Sequence, residues 1–454
     1  MAAEEIVEPG AVGGRPAGAG RRLARDAVGS FALNVVNVAA TLLTTVLLAR
    51  IMGVTEFGTF SFVIATVTLL GIPAILGVDR LLTRDIAVHV SRSAFGLARG
   101  LLRRAQQFVL ATSLTLALVA AVVAWVVTVG EISASLAAFL LGLAALPFLA
   151  IGRVVQGALM GLHHILLGQS AEYVLRPMIL LGLVIVFAAL GATVDAPVAV
   201  LFQGLSLAIA CLVSVLLLRS RTPAAIRASE PLYATRQWIS TAASLGLLTG
   251  ATLMNSQIGV ALLGVLSGPD SSGLYAVAQR GALLIAFPLS ALNTAIAPTT
   301  ARLWSSGENQ RLQRLVTLSA RRILLTALPF VLGYVLFGRA ILVTLFGPDF
   351  AGAEIALSIL AFGQLANVAT GPVTTLLVMT GHERKAALGI AAGAVVNVIG
   401  CAALIPGLGV AGAAVAAAVA LAVSNIVLVV VAQRQLGIYS TALGSMSWLP
   451  RRTG

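Results

Sequence analysis

The chain has 454 residues, of which 59% are hydrophobic and only 10% are charged, and its mean hydropathy is +1.02. Soluble domains carry about 25% charged residues, so this composition excludes an ordinary soluble protein and predicts a membrane protein. The net charge of +13 does not indicate a nucleic-acid-binding protein, because the basic residues are spread over many loops instead of one patch.

Apolar windows of about 20 residues predict twelve membrane-spanning helices in an all-α, polytopic protein. Helix is the expected state because a chain in lipid must satisfy its own backbone hydrogen bonds. The predicted spans are 28–49, 57–79, 106–129, 134–155, 171–190, 197–218, 238–265, 274–300, 323–345, 354–379, 386–404 and 411–432. Residues 1–27 lack the apolar core of a secretory signal and are predicted to form a disordered tail.

Basic residues concentrate on one side of the predicted membrane. Most of the 29 lysines and arginines lie in the two tails and in the loops after the second, sixth, eighth and tenth spans. By the positive-inside rule, both termini are therefore predicted to be cytoplasmic. The predicted location is the cytoplasmic membrane of a bacterium. The opposite loops carry acidic residues instead, namely Glu56, Glu131, Asp195, Asp270, Asp349 and Glu354.

Two stretches of the chain repeat the same glycine, aromatic and proline pattern half a chain apart. The matched pairs, all 215 positions apart, are Gly53 with Gly268, Gly58 with Gly273, Phe60 with Tyr275, and Pro73 with Pro288. Six spans separate the repeats, and an even number preserves direction. The repeat therefore predicts two six-helix lobes related by a pseudo-twofold axis along the membrane normal. Pro73 and Pro288 are the predicted hinges, because proline kinks a helix.

The predicted organisation follows from this repeat. The first lobe comprises residues 28–218 and the second comprises residues 238–432. A cytoplasmic linker, 219–237, joins the lobes, and residues 433–454 form a cytoplasmic tail. Transporters built from such repeats hold their substrate at the interface of the halves.

Polar side chains recur inside several predicted spans. Asn34, Asn37, Thr41 and Thr45 lie on one face of the first span, because they are spaced i, i+3, i+7 and i+11. Toward lipid they would leave polar groups unsatisfied, so we predict that they line a water-filled central cavity. Hydrogen bonding between helices is the alternative for any single one. The seventh and tenth spans carry polar residues for which we make the same prediction, namely Thr249, Thr252, Asn255, Ser256, Gln257, Gln364, Asn367, Thr370 and Thr374.

Charged residues inside spans cost about 2.5–3.5 kcal/mol at a helix centre and are functional candidates for that reason. Arg280 in the eighth span is the strongest candidate for binding an anion, followed by Arg153 and Arg176 near cytoplasmic helix ends. Glu172 is spaced i, i+4 from Arg176, so the two could simply pair. The candidates for a gate or for ion coupling are Asp79, Arg80, Arg84, Asp85 and Glu172, although the first four could equally anchor the helix end at the interface.

No metal or cofactor site is predicted. The two cysteines, Cys211 and Cys401, lie in apolar spans, and the lone lysine does not follow a glycine-rich phosphate-binding loop.

Six short segments, in this order, carry a recognisable family pattern. They are "LLARIMGVTEFGTFSF" (47–62), "LLTRDIA" (81–87), "QGALMGLHHILLGQSAEYVLRP" (156–177), "SSGLYAVAQR" (271–280), "LFGPDFAGA" (345–353) and "PGLGVAGAAVA" (406–416). Together they resemble the oligosaccharide-lipid flippases of polysaccharide biosynthesis, a family of the multidrug/oligosaccharidyl-lipid/polysaccharide exporter superfamily. The resemblance covers most of residues 25–435.

The resemblance implies a V of two six-helix lobes around a cavity lined by the first, second, seventh and eighth helices. It implies a flippase that moves an isoprenoid-diphosphate-linked oligosaccharide across the membrane by alternating access, and not an enzyme. Amides for sugar hydroxyls and arginines for phosphates would suit that substrate. The implied partners are membrane lipids and the glycan polymerase or glycosyltransferases of the same pathway.

Two other function classes fit the sequence less well. A cation-coupled multidrug antiporter is expected to carry an acidic residue in an early span, where the first span offers only Asn34 and Asn37. A membrane glycosyltransferase, polymerase or ligase needs catalytic acids or a sizeable outer domain, and the predicted outer loops are short.

Overall fold

The computed structural model describes residues 19–128, 133–442 and 444, and the described chain is helical with no strand. Ten of its helices are long and apolar enough to cross a membrane. The chain is therefore a multi-pass membrane protein. Glu131, residues 1–18 of the predicted N-terminal tail, and residues 443 and 445–454 of the predicted C-terminal tail lie outside the described residues.

Two lobes follow one another along the chain. The first contains α1 (Ala19–Ile75), α2 (Val78–Ser91), α3 (Phe95–Val127), α4 (Ala134–Gly161), α5 (Ile165–Ser170), a π-helical turn (Ala171–Leu175), α6 (Arg176–Ala189) and α7 (Ala196–Arg221). A short helix, α8 (Ala224–Ala228), lies in the linker. The second contains α9 (Thr235–Leu266), α10 (Pro269–Ser305), α11 (Asn309–Phe346), a 3₁₀ turn (Pro348–Ala353), α12 (Glu354–Ala369), α13 (Val373–Met379) and α14 (Glu383–Leu436).

Two of the ten helices are long enough to cross the membrane twice. The apolar part of α1 has 48 residues and α14 has 54, whereas about 20 residues span the hydrocarbon. Each helix bends at a glycine with positive φ, Gly53 (φ 74°, ψ 179°) and Gly409 (φ 54°, ψ −127°). When α1 and α14 are each counted as two spans, the ten helices give the twelve spans that the sequence predicts.

The backbone repeats with the predicted offset. Gly268, between α9 and α10, has φ 86° and ψ 176°, nearly the conformation of Gly53, which lies 215 positions earlier. This region of backbone space is open to glycine almost alone. The bounds of α7, shifted by the same offset, give 411–436, which is the second arm of α14. The two lobes therefore share one six-span topology.

Within each lobe one helix packs at the centre. In the first lobe α4 packs against α2, α3 and α7, and in the second α14 packs against α9 and α12. Small residues permit the close approach that membrane helices use. A Cβ at Gly161 of α4 would lie 2.6 Å from the carbonyl oxygen of Leu82 in α2, and one at Gly389 of α14 would lie 2.9 Å from the side chain of Leu428.

The lobes meet most tightly at the end of the molecule that carries the acidic connections, here called the acidic end. A Cβ at Gly58 would overlap the carbonyl oxygen of Pro269, and one at Gly273 would lie 2.6 Å from the carbonyl oxygen of Val54. The two glycines are repeat partners, so they meet across the pseudo-twofold axis. No larger residue would allow α1 and α10 to come this close.

Two further contacts join the lobes at the acidic end. The rings of Phe57 and Phe350 meet edge to face, with centroids 5.9 Å apart. Arg50 Nε donates to the carbonyl oxygen of Leu345 at 2.7 Å, at the far end of α11. Together with the glycine pair, these contacts close the acidic end.

The predicted helix ends need three corrections. The helix begins at Ala19, so residues 19–27 are helical and not a disordered tail, as suits their Ala- and Arg-rich sequence. The second span ends at Ile75, because Leu76 (φ 47°) and Gly77 (φ 74°) form a left-handed turn. The predicted span 354–379 is broken between α12 and α13, at Gly371 (φ 67°) and the proline that follows.

The predicted C-terminal tail is partly ordered against the second lobe. The helix α14 continues to Leu436, and the next residues cross the start of α11. Gln313 accepts from the backbone N–H of Tyr439 at 2.7 Å and donates to its carbonyl oxygen at 2.6 Å. Arg321 Nε donates to the carbonyl oxygen of Ala442 at 2.7 Å. These hydrogen bonds from the side chains of Gln313 and Arg321 to the backbone hold residues 437–442 against α11.

Replacement of Gly58 by valine should prevent closure of the acidic end, because the added side chain would overlap the carbonyl of Pro269. Overpacking of this kind costs about 1–3 kcal/mol, so the population with an open acidic end should rise. The measurement is the labelling of a cysteine introduced at Thr45 by a membrane-impermeant maleimide, in a background without Cys211 and Cys401. The reagent is added to each side of sealed vesicles.

Gly182→Val is the matched control, because no atom lies within 4 Å of a Cβ built at Gly182. We expect faster labelling in Gly58→Val from the side that holds the acidic end, and no change in the control. Equal labelling rates in the two variants would contradict the role of the glycine contact.

Candidate functional site

A cavity of about 250 Å³ lies between the lobes. The first lobe contributes α1, α4, α6 and α7 to its wall, and the second contributes α9 and α10. Polar and charged side chains are concentrated there, although the helices that carry them are mainly apolar. These residues are Thr41, Thr44, Thr45, Thr68, Arg153, Arg176, Gln203, Gln257 and Arg280.

Arg280 is the only cavity arginine from the second lobe among the described lining residues. It lies about three turns from the start of α10, yet its side chain is exposed because it opens into the cavity. Within the described part of the chain no carboxylate lies within ion-pair distance of its guanidinium, and it makes no side-chain hydrogen bond. Its charge is therefore available to a ligand.

The first lobe contributes two arginines that share one carboxylate. Glu172 Oε1 lies 3.7 Å from Arg153 and 3.3 Å from Arg176. The pairing of Glu172 with Arg176 expected from their spacing is present, and Arg153 joins it. All three side chains keep some exposure, 39% for Arg153, 25% for Arg176 and 17% for Glu172. Two guanidinium groups share this carboxylate and that of Arg280 has no described carboxylate partner, so the cavity carries net positive charge.

A π-helical turn places Glu172 in this cluster. The turn, Ala171–Leu175, precedes Pro177, which lines the cavity as well. Proline has no N–H to donate to the carbonyl four residues earlier, so the regular α-helical ladder is interrupted here. Short π-helical turns inside α-helices are frequent at functional sites.

Threonines of the first span provide uncharged hydrogen-bond acceptors. Thr44 and Thr45 are buried, and each hydroxyl donates to a carbonyl oxygen one turn earlier at 2.7 Å. Because the hydroxyl protons are used within the helix, their oxygens are left to accept hydrogen bonds. Gln203 and Gln257 add amides on opposite lobes. The wall can therefore bind hydroxyl groups in addition to an anion.

A smaller cavity of about 70 Å³ continues from the central one away from the acidic end. Both are lined by Gly71, Ile75, Arg153 and Leu253. Asp79 lines the smaller cavity, and its Oδ1 is buried without a hydrogen-bond partner.

The other predicted gate residues lie apart from this passage. Arg80 is exposed, and Arg84 pairs with the adjacent Asp85 at 2.9 Å on the surface of α2. Together with Asp79, these residues belong to α2, which is a separate helix and not the end of the second predicted span. Their role as a gate stays a prediction.

Comparison with known proteins decides the family. The sequence pattern of the polysaccharide biosynthesis protein family matches residues 23–304, more than half of the chain. The chain belongs to this family. None of the curated proteins is significantly similar to it in sequence.

Solved structures share the fold of this polysaccharide biosynthesis protein. One is a multidrug resistance MATE family transporter of the MOP superfamily in an inward-facing conformation, with a TM-score of 0.66, 14% identity, and 88% of this chain and 94% of that chain covered. A MOP superfamily transporter from Pyrococcus furiosus, described by the reverse polarity of its binding pocket, has a TM-score of 0.63, 13% identity, and coverage of 92% and 96%.

The lipid II flippase MurJ in an inward closed conformation has a TM-score of 0.59, 14% identity, and coverage of 90% of this chain and 87% of that chain. At these identities the likeness shows the fold alone. The family member described here therefore shares the fold of these solved proteins.

A second polar cavity, of about 290 Å³, lies inside the second lobe of this family member. The sequence predicts one central cavity, but the structure divides its residues between two. The residues found in the second cavity are Thr252, Asn255, Ser256, Gln364, Asn367 and Thr374. The reason is that α9 separates the two spaces, so that Gln257 faces the central cavity while Asn255 and Ser256 face α12 and α14.

Hydrogen bonds between amides connect helices around the second cavity. Asn425 Nδ2 donates to Asn367 Oδ1 at 3.1 Å, and Asn367 Nδ2 donates to Gln364 Oε1 at 3.2 Å. Asn397 Nδ2 donates to the backbone carbonyl of Asn255 at 3.1 Å. These amides therefore act at least in part between helices, which is the alternative that the sequence left open.

Asn34, Asn37, Thr249, Thr370, Pro73 and Pro288 lie outside both cavities, although Thr249 lines the smaller cavity of about 70 Å³. Asn34 and Asn37 are half-buried in the first span, and Asn37 Oδ1 is buried without a hydrogen-bond partner. Pro73 lies in the last turns of α1 and Pro288 lies inside α10, and their role as hinges stays a prediction.

Several polar lining residues were not singled out from the sequence. Thr44, Thr68 and Gln203 line the central cavity, and Asn397 and Asn425 line the second one. The available signal was a lone polar residue within an apolar span, which costs free energy unless it is paired or hydrated.

Replacement of Glu172 by glutamine should destabilise the protein, because Arg153 and Arg176 would lose the carboxylate between them. Removing one partner of a fully buried ion pair costs about 3–5 kcal/mol. Partial exposure to the cavity lowers the expected loss to about 1–2 kcal/mol. The measurement is the Tm of the purified protein in detergent micelles.

Glu308→Gln is the matched control, because Glu308 pairs with Arg311 at a more exposed site. Its Tm should change little, since exposed pairs contribute about 0–1 kcal/mol. A Tm decrease as large in Glu308→Gln as in Glu172→Gln would argue against a special role for the cavity pair.

Proposed function

We propose that this protein is a flippase that moves an isoprenoid-diphosphate-linked oligosaccharide across the cytoplasmic membrane by alternating access. One observation carries the proposal. Three arginines from two lobes, Arg153, Arg176 and Arg280, line one cavity, and Glu172 is the one described carboxylate that pairs with any of them. Membership in the polysaccharide biosynthesis family supports the same class of cargo.

The cavity suits the polar part of such a lipid. A diphosphate and sugar hydroxyls cannot enter hydrocarbon without losing water that nothing replaces. Arginine binds phosphate oxygens through two parallel N–H groups, and Arg280 has no protein partner that would compete for it. The threonine oxygens and the amides of Gln203 and Gln257 provide partners for hydroxyl groups.

The lobes touch each other at both ends of the cavity. Gly58, Gly273, Phe57 and Phe350 meet at the acidic end, and at the arginine-rich end a Cβ at Gly77 would overlap the carbonyl oxygen of Ala242 in α9. By the positive-inside rule the arginine-rich end is cytoplasmic. In the proposed cycle the lobes separate at the cytoplasmic end to admit the headgroup. They then rock about the site, which closes the cytoplasmic end and opens the acidic end.

Release of the headgroup uses the cluster around Glu172. Arg153 and Arg176 bind the carboxylate in the absence of a ligand, so a diphosphate must compete with Glu172 for them. This competition limits the affinity of the site, and a carrier needs such a limit because it must let its cargo go. The proposed partners are membrane lipids and the glycan polymerase or glycosyltransferases of the pathway.

The positive cavity disfavours the multidrug antiporter alternative, because a cationic drug would meet three arginines against one carboxylate. A dye-efflux assay with an imposed ion gradient separates the two functions. Efflux of cationic dyes without movement of the lipid-linked sugar would replace the proposal with drug export.

Arg280→Ala should reduce the movement of an isoprenoid-diphosphate-linked sugar by about ten- to a hundredfold, because a hydrogen bond to a charged group contributes about 1.5–3 kcal/mol. Arg280→Lys keeps the charge but loses the planar fork, and we expect an intermediate rate. The measurement uses proteoliposomes that contain the labelled lipid. The headgroup that has reached the opposite leaflet is detected by an impermeant glycan-modifying enzyme.

Arg302→Ala is the matched control, because Arg302 is an exposed arginine on the same helix and lines neither described polar cavity. Its rate should equal that of the native protein. Full activity of Arg280→Ala, at equal amounts of inserted protein, would refute the proposed site.

A further inference from the structure

An apolar groove lies on the outside of the protein, where the first lobe meets the start of the second. Its volume is about 400 Å³. Leu76, Leu101 and Phe108 of the first lobe line it, together with Trp238 and Ala242 of α9. We call it the seam groove, because both lobes contribute to it.

The seam groove reaches from the membrane surface into the hydrocarbon layer. The helix α3 has 33 residues, which is about 50 Å and exceeds the hydrocarbon thickness of about 30 Å. Arg104 lies in the third turn of α3, at the arginine-rich end, and Phe108 and Ala111 lie one and two turns deeper. The mouth of the groove is therefore at headgroup level, and its floor faces acyl chains.

Arg104 lines the groove at its mouth, and Arg103 and Arg236 lie next to lining residues in the sequence. Arg103, Arg104 and Arg236 are all exposed, and none of them forms an ion pair with another described residue. The guanidinium of Arg104 lies 5.7 Å from the ring centroid of Tyr233, and its Nε lies 3.5 Å from Thr235 Oγ1. These neutral contacts orient Arg104 over the groove without neutralising it.

We propose that the seam groove binds one anionic phospholipid of the surrounding bilayer, with its phosphate on Arg104 and one acyl chain between α3 and α9. The volume falls in the range of ligand sites, about 300–1,000 Å³. Basic pockets between membrane helices suit anionic headgroups, and snorkelling arginine places its charge at that depth. The site does not depend on the substrate of the central cavity.

The bound lipid has a consequence for the conformational cycle. The groove exists only while the start of α9 packs against α2 and α3, as the buried side chains of Trp238 and Ala242 do here. A ligand that binds one conformation better shifts the equilibrium toward it. An anionic phospholipid therefore stabilises the conformation in which the two lobes pack together at the arginine-rich end.

The test adds phosphatidylglycerol or phosphatidylcholine to the purified full-length protein in detergent micelles and measures Tm. Phosphatidylglycerol should raise the Tm of the native protein in a saturable way, and phosphatidylcholine should raise it much less. Arg104→Gln should lose most of the increase, whereas Arg104→Lys and the control Arg302→Gln should keep it.

A second variant tests the groove separately from the charge. Ala111→Trp keeps every arginine and fills the groove from an exposed position, so it should also lose the increase. A phosphatidylglycerol with a photoreactive group in its acyl chain should crosslink to peptides that contain residues 101–111 or 235–242.

Three outcomes would overturn the proposal. The first is an equal Tm increase with both lipids. The second is an increase that Arg104→Gln retains in full, or that Arg302→Gln loses to the same extent. The third is crosslinking that is spread over the membrane surface and unchanged in Ala111→Trp.

Discussion

Gly58 and Gly273 bring helices of opposite lobes so close that a methyl group at either position would meet backbone atoms of the other lobe. This contact sets the distance between the lobes at the acidic end, and the rest of the architecture follows from it. Phe57 can meet Phe350 only because the backbones approach there. The cavity with Arg280 lies between this contact and a second contact between the lobes, where Gly77 packs against Gly246 of α9. Because the glycines are repeat partners, each lobe contributes equally to the closure.

A second constraint explains the contents of that space. Charge inside a bilayer must be hydrated or paired. Arg280 satisfies this requirement through exposure to the cavity, and Arg153 and Arg176 satisfy it by sharing Glu172. The same requirement keeps the cavity wet, and a wet cavity is what a polar headgroup needs for its passage. Stability of the empty protein and affinity for an anion therefore use the same side chains.

Much of the fold could be predicted from the sequence, because apolar windows and a constant offset of 215 positions report on membrane spans and on the repeat. The charge rule also singled out Arg280, which lines the central cavity. The turn at Leu76 could not be predicted, since nothing in an apolar window announces a left-handed residue. The division of the polar residues between two cavities could not be predicted either, because the rotation of α9 about its axis depends on packing. One such packing contact is that of Gly259 with the ring of Tyr275, where an added Cβ would lie 2.8 Å from the ring.

The unequal distribution of the arginines has a consequence for what the molecule can recognise. The positions related by the repeat to Arg153, Arg176 and Arg280 are occupied by Val368, Ala391 and Ala65. A symmetric dimer of either half would display each guanidinium twice or not at all. Two halves joined in one polypeptide are free of that restriction and can differ in sequence. A chamber that lacks twofold symmetry can match a headgroup whose two ends, a phosphate and a sugar, differ in chemistry.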